Sequence, residues 1–326
     1  MKKRYATSLK QLANGKNVFK ILAIDHVNGL RKQLNALKTN AEVTIEEVVE
    51  IKSMVINALK NDLTGILIDK VTYQRTPAEI YGSCGVLIKL DDGWTEAPWN
   101  SRERLTQLAE GIDFQMLKAR GVVGMKLMLY YRHDLSAETK RHQEDLTRRI
   151  AELCHKHELL FCLEPWWYTS KEDEDDTSEG KHLVAQRRPR MVIEPLRELG
   201  KPEYGVNLFK LEFPIDSNFY IFNFEPERAT SIIPLYDRDD VVQMCKEIST
   251  LISVPWVIMS SGVTARQFSE YLEIAAHSDV SGYICGQAIW QEGVRQFPDR
   301  ENMQKVLETT CRNNLTHINQ TADKIV

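Results

Sequence analysis

Eight short apolar runs recur along this chain, most of them separated by a stretch long enough for a helix, and this rhythm restricts the fold more than any other feature. They cover residues 18–25, 65–70, 85–90, 121–131, 159–165, 206–214, 254–262 and 282–286. Runs that are apolar on both faces are what parallel strands look like when helices cover the sheet. Eight of them in β-α alternation predict a single (β/α)8 TIM barrel that takes in the whole chain, residues 1–326, as one domain. A chain of 326 residues, 43% of them hydrophobic, can fill such a core without a metal or disulfide staple.

The intervening segments agree. Ser136 opens an amphipathic stretch that runs to His157, with Leu146, Ile150, Leu153 and Cys154 on one stripe. Thr76-Pro77 reads as a helix start, with Gly82 able to end the short helix that follows. Thr264 begins a helix carrying Phe268, Tyr271, Leu272 and Ala275, and the region from Asn302 also reads as helical. Two stretches read as loops at the C-terminal end of the barrel, where active sites of this fold are built. One is 91–101, with Trp94, Pro98 and Trp99; the other is the acidic 169–180, which precedes Arg187, Arg188 and Arg190.

The sharpest signal is four ionisable residues inside these runs. Side chains alternate along a strand, so Lys210 shares its face with Val206 and Leu208. If Phe209 and Leu211 face the helices, Lys210 faces the barrel axis. An unpaired ammonium there costs several kcal/mol or gives up its proton. The same reasoning singles out Lys126, Glu164 and Asp25. Two lysines and two carboxylates at one barrel mouth suit carbonyl chemistry. The Lys126 cation would favour the free amine of Lys210, which attacks a carbonyl, and Glu164 and Asp25 can move protons. The competing expectation is an ion-pair network that merely fills the barrel. His26 and His133 lie near strand ends, where they could orient hydroxyls. Trp94/Trp99 and Trp166/Trp167 could wall a pocket, although burial of their apolar area also accounts for them.

A formal net charge of −4 argues against nucleic acid as the main partner. No run reaches the ~18 apolar residues of a membrane span. The basic start, Met1 to Arg4, lacks an apolar segment behind it and reads as an exposed terminus rather than a signal peptide. Six scattered cysteines without a CxxC pair suit a reducing, cytoplasmic setting. Cys154, His155 and His157 have the look of a metal cluster but sit at the polar end of a helix.

Several segments together resemble the class I tagatose-1,6-bisphosphate aldolase family, which includes the sulfofructose-phosphate aldolases. They are 22–25 (Leu-Ala-Ile-Asp), 125–131 (Met-Lys-Leu-Met-Leu-Tyr-Tyr), Glu164-Pro165, 209–214 (Phe-Lys-Leu-Glu-Phe-Pro), 255–258 (Pro-Trp-Val-Ile), 260–263 (Ser-Ser-Gly-Val) and 285–290 (Cys-Gly-Gln-Ala-Ile-Trp). The resemblance runs from about residue 18 to 292. It implies that Lys210 is the Schiff-base lysine, Glu164 and Asp25 the proton-transfer carboxylates and Lys126 a second active-site lysine. The implied reaction is reversible cleavage of a ketose or ketose phosphate, with the iminium as electron sink and no metal or other cofactor required. His26, Ser261, Gly262, Gly286 and Gln287 would contact the substrate. Two departures stand out. Asp25-His26-Val27 replaces the family's Asp-Gln-Arg, and Gly286-Gln287-Ala288 replaces its Gly-Arg-Ala. Backbone amides at Gly262 and Gly286 can still cradle an anion, but Gln287 brings no charge. A substrate lacking phosphate at one end or both is therefore expected, with Arg266 as a replacement cation or simply an exposed helix arginine. Transaldolase-like transfer of the three-carbon fragment, or a ketose-binding regulator without turnover, remain alternatives. Barrels of this kind often form homo-oligomers through their outer helices.

Overall fold

The computed structural model of the protein describes residues 6–38, 42–169, 177–225, 227 and 233–325. Strands β1 (Phe19–Ile24), β2 (Gly65–Ile68) and β3 (Gly85–Lys89) come first. A two-stranded hairpin of β4 (Asp91–Ala97) and β5 (Asn100–Leu108) follows, then β6 (Gly124–Tyr130), β7 (Leu160–Trp166), β8 (Leu208–Leu211), β9 (Trp256–Ile258) and β10 (Gly282–Cys285). All except the hairpin strands form one closed barrel in the order β1-β10-β9-β8-β7-β6-β3-β2, and every pairing in it is parallel. Each barrel strand coincides with one of the apolar runs of the sequence, β7 alone reaching one residue past its run.

Helix α1 (Ala6–Gln11) precedes the barrel, and Leu12 just after it plugs the barrel floor against Phe19, Leu67 and Leu87. Helices α2 (Asn28–Leu37) and α3 (Ile45–Leu59) follow β1, α4 (Lys70–Arg75) follows β2, and α5 (Phe114–Ala119) follows the hairpin. After β6 comes α6 (Ala137–Lys156), after β7 α7 (Ser178–Leu199), and after β8 α8 (Arg238–Leu251). Helices α9 (Ala265–Ala275) and α10 (Gln287–Val294) follow β9 and β10, and α11 (Arg300–Val306) and α12 (Arg312–Ala322) end the described chain. Two expected helix starts rest on side-chain caps. Ser136 accepts the Thr139 amide, and Thr264 forms a reciprocal capping box with Gln267.

Three expectations need correction. Residues 91–101 are not a loop but most of the β4–β5 hairpin, held down by α6. Gln143 donates to the Tyr130 carbonyl and to Thr106, Trp99 Nε1 donates to Thr139, and the Arg104 amide donates to the Tyr168 hydroxyl. Thr76 does not start a helix. Its hydroxyl bonds back to the Thr72 carbonyl at the end of α4, and the following 3₁₀ turn spans Ala78–Tyr81 before Gly82 at φ +59°. In the acidic stretch 169–180, residues 170–176 lie outside the described residues, as do Met1 to Arg4, while Ser178–Gly180 already belong to α7. All six cysteines are free and buried, and among the described residues no group of His, Cys, Asp or Glu is arranged to hold a metal ion. No helix among them is long and apolar enough to cross a membrane.

The barrel interior is layered. Ile21, Ala23, Leu67, Leu87, Leu160, Cys162, Leu208, Val257 and Ile284 form a dry inner cluster that reaches down to the floor. One inward step above it, two residues further along five of the strands, the side chains change from apolar to charged: Asp25 above Ala23, Asp69 above Leu67, Lys89 above Leu87, Glu164 above Cys162 and Lys210 above Leu208. Such layers are how barrels of this type fill their axis. Here the top layer is built of ions.

Candidate active site

Lys210, at the centre of this layer, is buried, with its Nζ 3.0 Å from Glu164 Oε1. The other oxygen of Glu164 lies 2.5 Å from Lys126 Nζ, so one carboxylate bridges two lysines. Lys126 also lies 3.4 Å from Asp91 Oδ1 and 3.6 Å from Asp25 Oδ2. All four predicted residues therefore meet at the C-terminal mouth of the barrel, supplied by β6, β7, β8 and the end of β1. Register produces part of this: Met128 stands opposite Glu164 on the paired strands β6 and β7, which leaves Lys126 one inward step below it.

The electrostatics fix the charge on Lys126. Burial works against its ammonium, yet Asp91, Glu164 and Asp25 around it hold its pKa well above the usual lysine value. Burial also works against ionised Asp25, but Lys126 foremost, with help from Lys210, holds it well below the usual carboxylate range. Glu164 stands between Lys126 and Lys210 and binds both. Asp25 Oδ1 has no hydrogen-bond partner among the described residues, and the side chain lines a cavity of about 470 Å³ that opens at the mouth. That volume is within the range of small-molecule sites.

The structure adds residues that sequence reasoning passed over. Asp91, at the start of the hairpin, is buried and accepts the Met128 amide as well as pairing with Lys126. Lys89 lies 3.3 Å from its other oxygen. Lys89 carried the same signal as Lys126, an inward-facing lysine in an apolar run, whereas Asp91 had none because it follows the strand. Buried Lys52 of α3 pairs with Asp69 at the end of β2. Glu212, two residues beyond Lys210, is buried with its Oε1 3.1 Å from Arg188 of α7 and its Oε2 unpartnered. Arg188 also stacks over Trp167.

The remaining predicted contacts spread around the rim. His26 is largely exposed, with Nδ1 3.6 Å from Asp25 Oδ1. Ser261 and Gly262 follow β9 with positive φ values of 45° and 85°, and both are exposed. Gly286 caps the start of α10, and a Cβ there would lie 2.9 Å from the Ala23 carbonyl of the neighbouring strand. Gln287, the first residue of α10, is exposed. Arg266 stacks on Phe224. His133 does not line the cavity and instead feels Arg190 and Glu194 on α7. Trp94 is stacked by Arg104 and lies against Tyr130, which lines the cavity.

A family model for DeoC/LacD family aldolases matches residues 19–292. Tagatose 1,6-diphosphate aldolase 1 of Enterococcus faecalis is 29% identical over 317 residues, covering 96% of this chain and 92% of that protein. Tagatose 1,6-diphosphate aldolase of Listeria innocua is 28% identical over 322 residues, covering 97% and 90%. The Staphylococcus aureus counterpart is 25% identical, covering 96% and 93%. Among solved structures, a fructose-bisphosphate aldolase from Plasmodium falciparum superposes with a TM-score of 0.68 at 15% identity, covering 99% of this chain and 95% of that one, which bears on the fold alone. With an eight-stranded parallel barrel, a buried lysine–carboxylate cluster at its mouth and a family match over most of its length, the chain belongs to the DeoC/LacD family of aldolases, carbon–carbon lyases.

Proposed function

We propose that the protein, acting as a single domain, is a class I aldolase that cleaves a ketose or ketose phosphate reversibly into a three-carbon ketone and an aldehyde, with Lys210 as the imine-forming residue. The observation that carries this reading is the buried chain from Lys210 Nζ to Glu164 at 3.0 Å and on to Lys126 Nζ at 2.5 Å. It gives the amine an adjacent carboxylate able to take and return protons.

In the forward direction Lys210 passes a proton to Glu164, the freed amine adds to the C2 carbonyl, and Glu164 returns that proton to the departing hydroxyl, which leaves as water. The resulting iminium draws electrons from C3–C4 as the C4 hydroxyl gives up its proton. That bond breaks, the aldehyde departs, and the remaining enamine is protonated at C3 before water releases the ketone. Asp25 is the acceptor we assign to the C4 hydroxyl proton. It starts ionised beside Lys126, its Oδ1 makes no hydrogen bond among the described residues, and the residue lines the cavity. Lys126 stays charged and balances whichever carboxylate is ionised, a fixed charge in a dry site rather than one that must reorganise. Amides at Ser261, Gly262 and Gly286 with the Gln287 side chain would hold the C1 end of the substrate, and His26 would contact hydroxyls at the mouth.

Borohydride reduction in the presence of dihydroxyacetone, its phosphate and a ketose panel, followed by peptide mapping, tests the reading. A stable adduct on Lys210 that is absent from Lys210→Met supports it. Folded protein that yields no adduct with any donor refutes it.

A further inference from the structure

The cavity at the mouth has a charge character that its size alone does not convey. It is bounded by the ends of β1, β2 and β3 and by the hairpin, and Asp25 forms part of its wall. Asp25 is what this cavity shares with the reactive cluster, so a ketose held on Lys210 with its C4 hydroxyl at Asp25 would extend its future aldehyde along this wall. Five carboxylates line it (Asp25, Asp69, Asp91, Asp92 and Glu110) against two lysines, and no arginine.

One of the two lysines is ion-paired and the other is held by backbone carbonyls that leave its charge unbalanced. Lys89 pairs with Asp91 at 3.3 Å, and Lys70 donates to the backbone carbonyls of Glu110 and Gly111 at 2.5 and 3.3 Å. Behind the wall, Lys52 is taken by Asp69 and Lys126 by its three carboxylates. Asp92 and Glu110 are exposed and have no ion-pair partner among the described residues.

We propose that this cavity receives an uncharged, hydroxyl-bearing aldehyde fragment, so that the substrate carries at most one phosphate, at the C1 end. The inference rests on the aldolase reading of Lys210 and specifies its substrate class. Hydroxyl groups suit these walls because they donate to carboxylate oxygens and accept from ammonium groups. A phosphate dianion in the same place meets Asp92 and Glu110 with Lys70 as the one lining lysine whose charge is not already balanced by an ion pair, so the carboxylates outnumber the cations and repel it. Space is not the filter, since about 470 Å³ holds a three-carbon fragment with or without phosphate.

The test runs the reaction in the condensing direction with dihydroxyacetone phosphate as fixed donor and glyceraldehyde or glyceraldehyde 3-phosphate as acceptor. The unphosphorylated acceptor is expected to have the higher kcat/KM by at least about tenfold. The double variant Asp92→Asn/Glu110→Gln is expected to narrow that ratio. Borohydride trapping of the donor needs no acceptor and keeps the two readings apart. Without a trapped adduct, the aldolase reading fails. With the adduct formed, equal or better use of the phosphorylated acceptor, use of neither acceptor, or a ratio unmoved in the double variant overturns the present inference alone.

Discussion

Glu212 shows how strongly a single position is shaped by what surrounds it. It is buried two residues beyond Lys210; burial raises its pKa from 4.5 to about 7, with Arg188 opposing the rise. A carboxyl whose folded pKa is raised favours the fold while protonated. The unfolded chain ionises near 4.5 and the folded one near 7, so stability falls as pH rises through that window. Glu212→Gln keeps the shape and removes the titration. Its melting temperature relative to the unaltered protein is expected to climb between pH 5 and pH 8, by an amount equivalent to roughly 1–3 kcal/mol. Thermal melts across that range check it, and a difference flat in pH would contradict it. Lys126→Met makes the opposite kind of change, leaving Asp25, Asp91 and Glu164 buried with their shared cation gone. Breaking a buried pair in this way costs about 3–5 kcal/mol, readable by urea denaturation, and borohydride trapping on Lys210 should fall with it. At this scale alternation made Asp25, Lys126, Glu164 and Lys210 legible in the sequence, because a charge in an apolar run is conspicuous. Asp91, Glu212 and Lys52 were not singled out. Asp91 lies just past its strand, Glu212 follows a lysine that already accounted for the run, and the Lys52 partnership with Asp69 spans a helix and a strand end that only the fold brings together.

Among the elements, the seam between β1 and β10 is the least forgiving. Gly282 starts β10 at φ +127°, and a Cβ there would fall 2.1 Å from the Phe19 carbonyl oxygen. Gly282→Ala would force the first and last strands apart. A loss of more than about 4 kcal/mol, or failure to accumulate soluble protein, is expected and is measured by expression and denaturation. The hairpin is held by side chains rather than by a barrel ladder. Gln143→Leu leaves the Tyr130 carbonyl with one acceptor bond fewer and Thr106 without its α6 partner. It should cost about 1–3 kcal/mol and raise amide exchange in 91–108, followed by hydrogen exchange mass spectrometry. The hairpin was read as a loop because β4 is polar and mostly exposed and carries no apolar run. The bonds to α6 that make it a hairpin are tertiary and leave no local signal. The barrel strands, by contrast, are buried on both faces, so burial wrote them into the sequence as uninterrupted apolar runs.

For the whole molecule, the barrel was legible because its period is global: eight runs in order leave little choice once parallel pairing and helical crossovers are required. What the period could not convey is the size and charge of the space above the ions. That depends on how the hairpin and the strand ends lean over the mouth. The closing seam carries a further consequence. The last strand of the ring pairs with the first, Gly282 opposite Phe19, so no shorter stretch of chain closes the circle. A chain ending before residue 282 would leave two strand edges open to other chains. Such a truncation is expected to be insoluble and to give no adduct on Lys210. During synthesis the timing follows directly: every member of the reactive cluster has been added long before β10 emerges, yet the ring cannot close until it does. Arrival of the final strand, rather than of the reactive lysine, sets the moment at which a new chain becomes an enzyme.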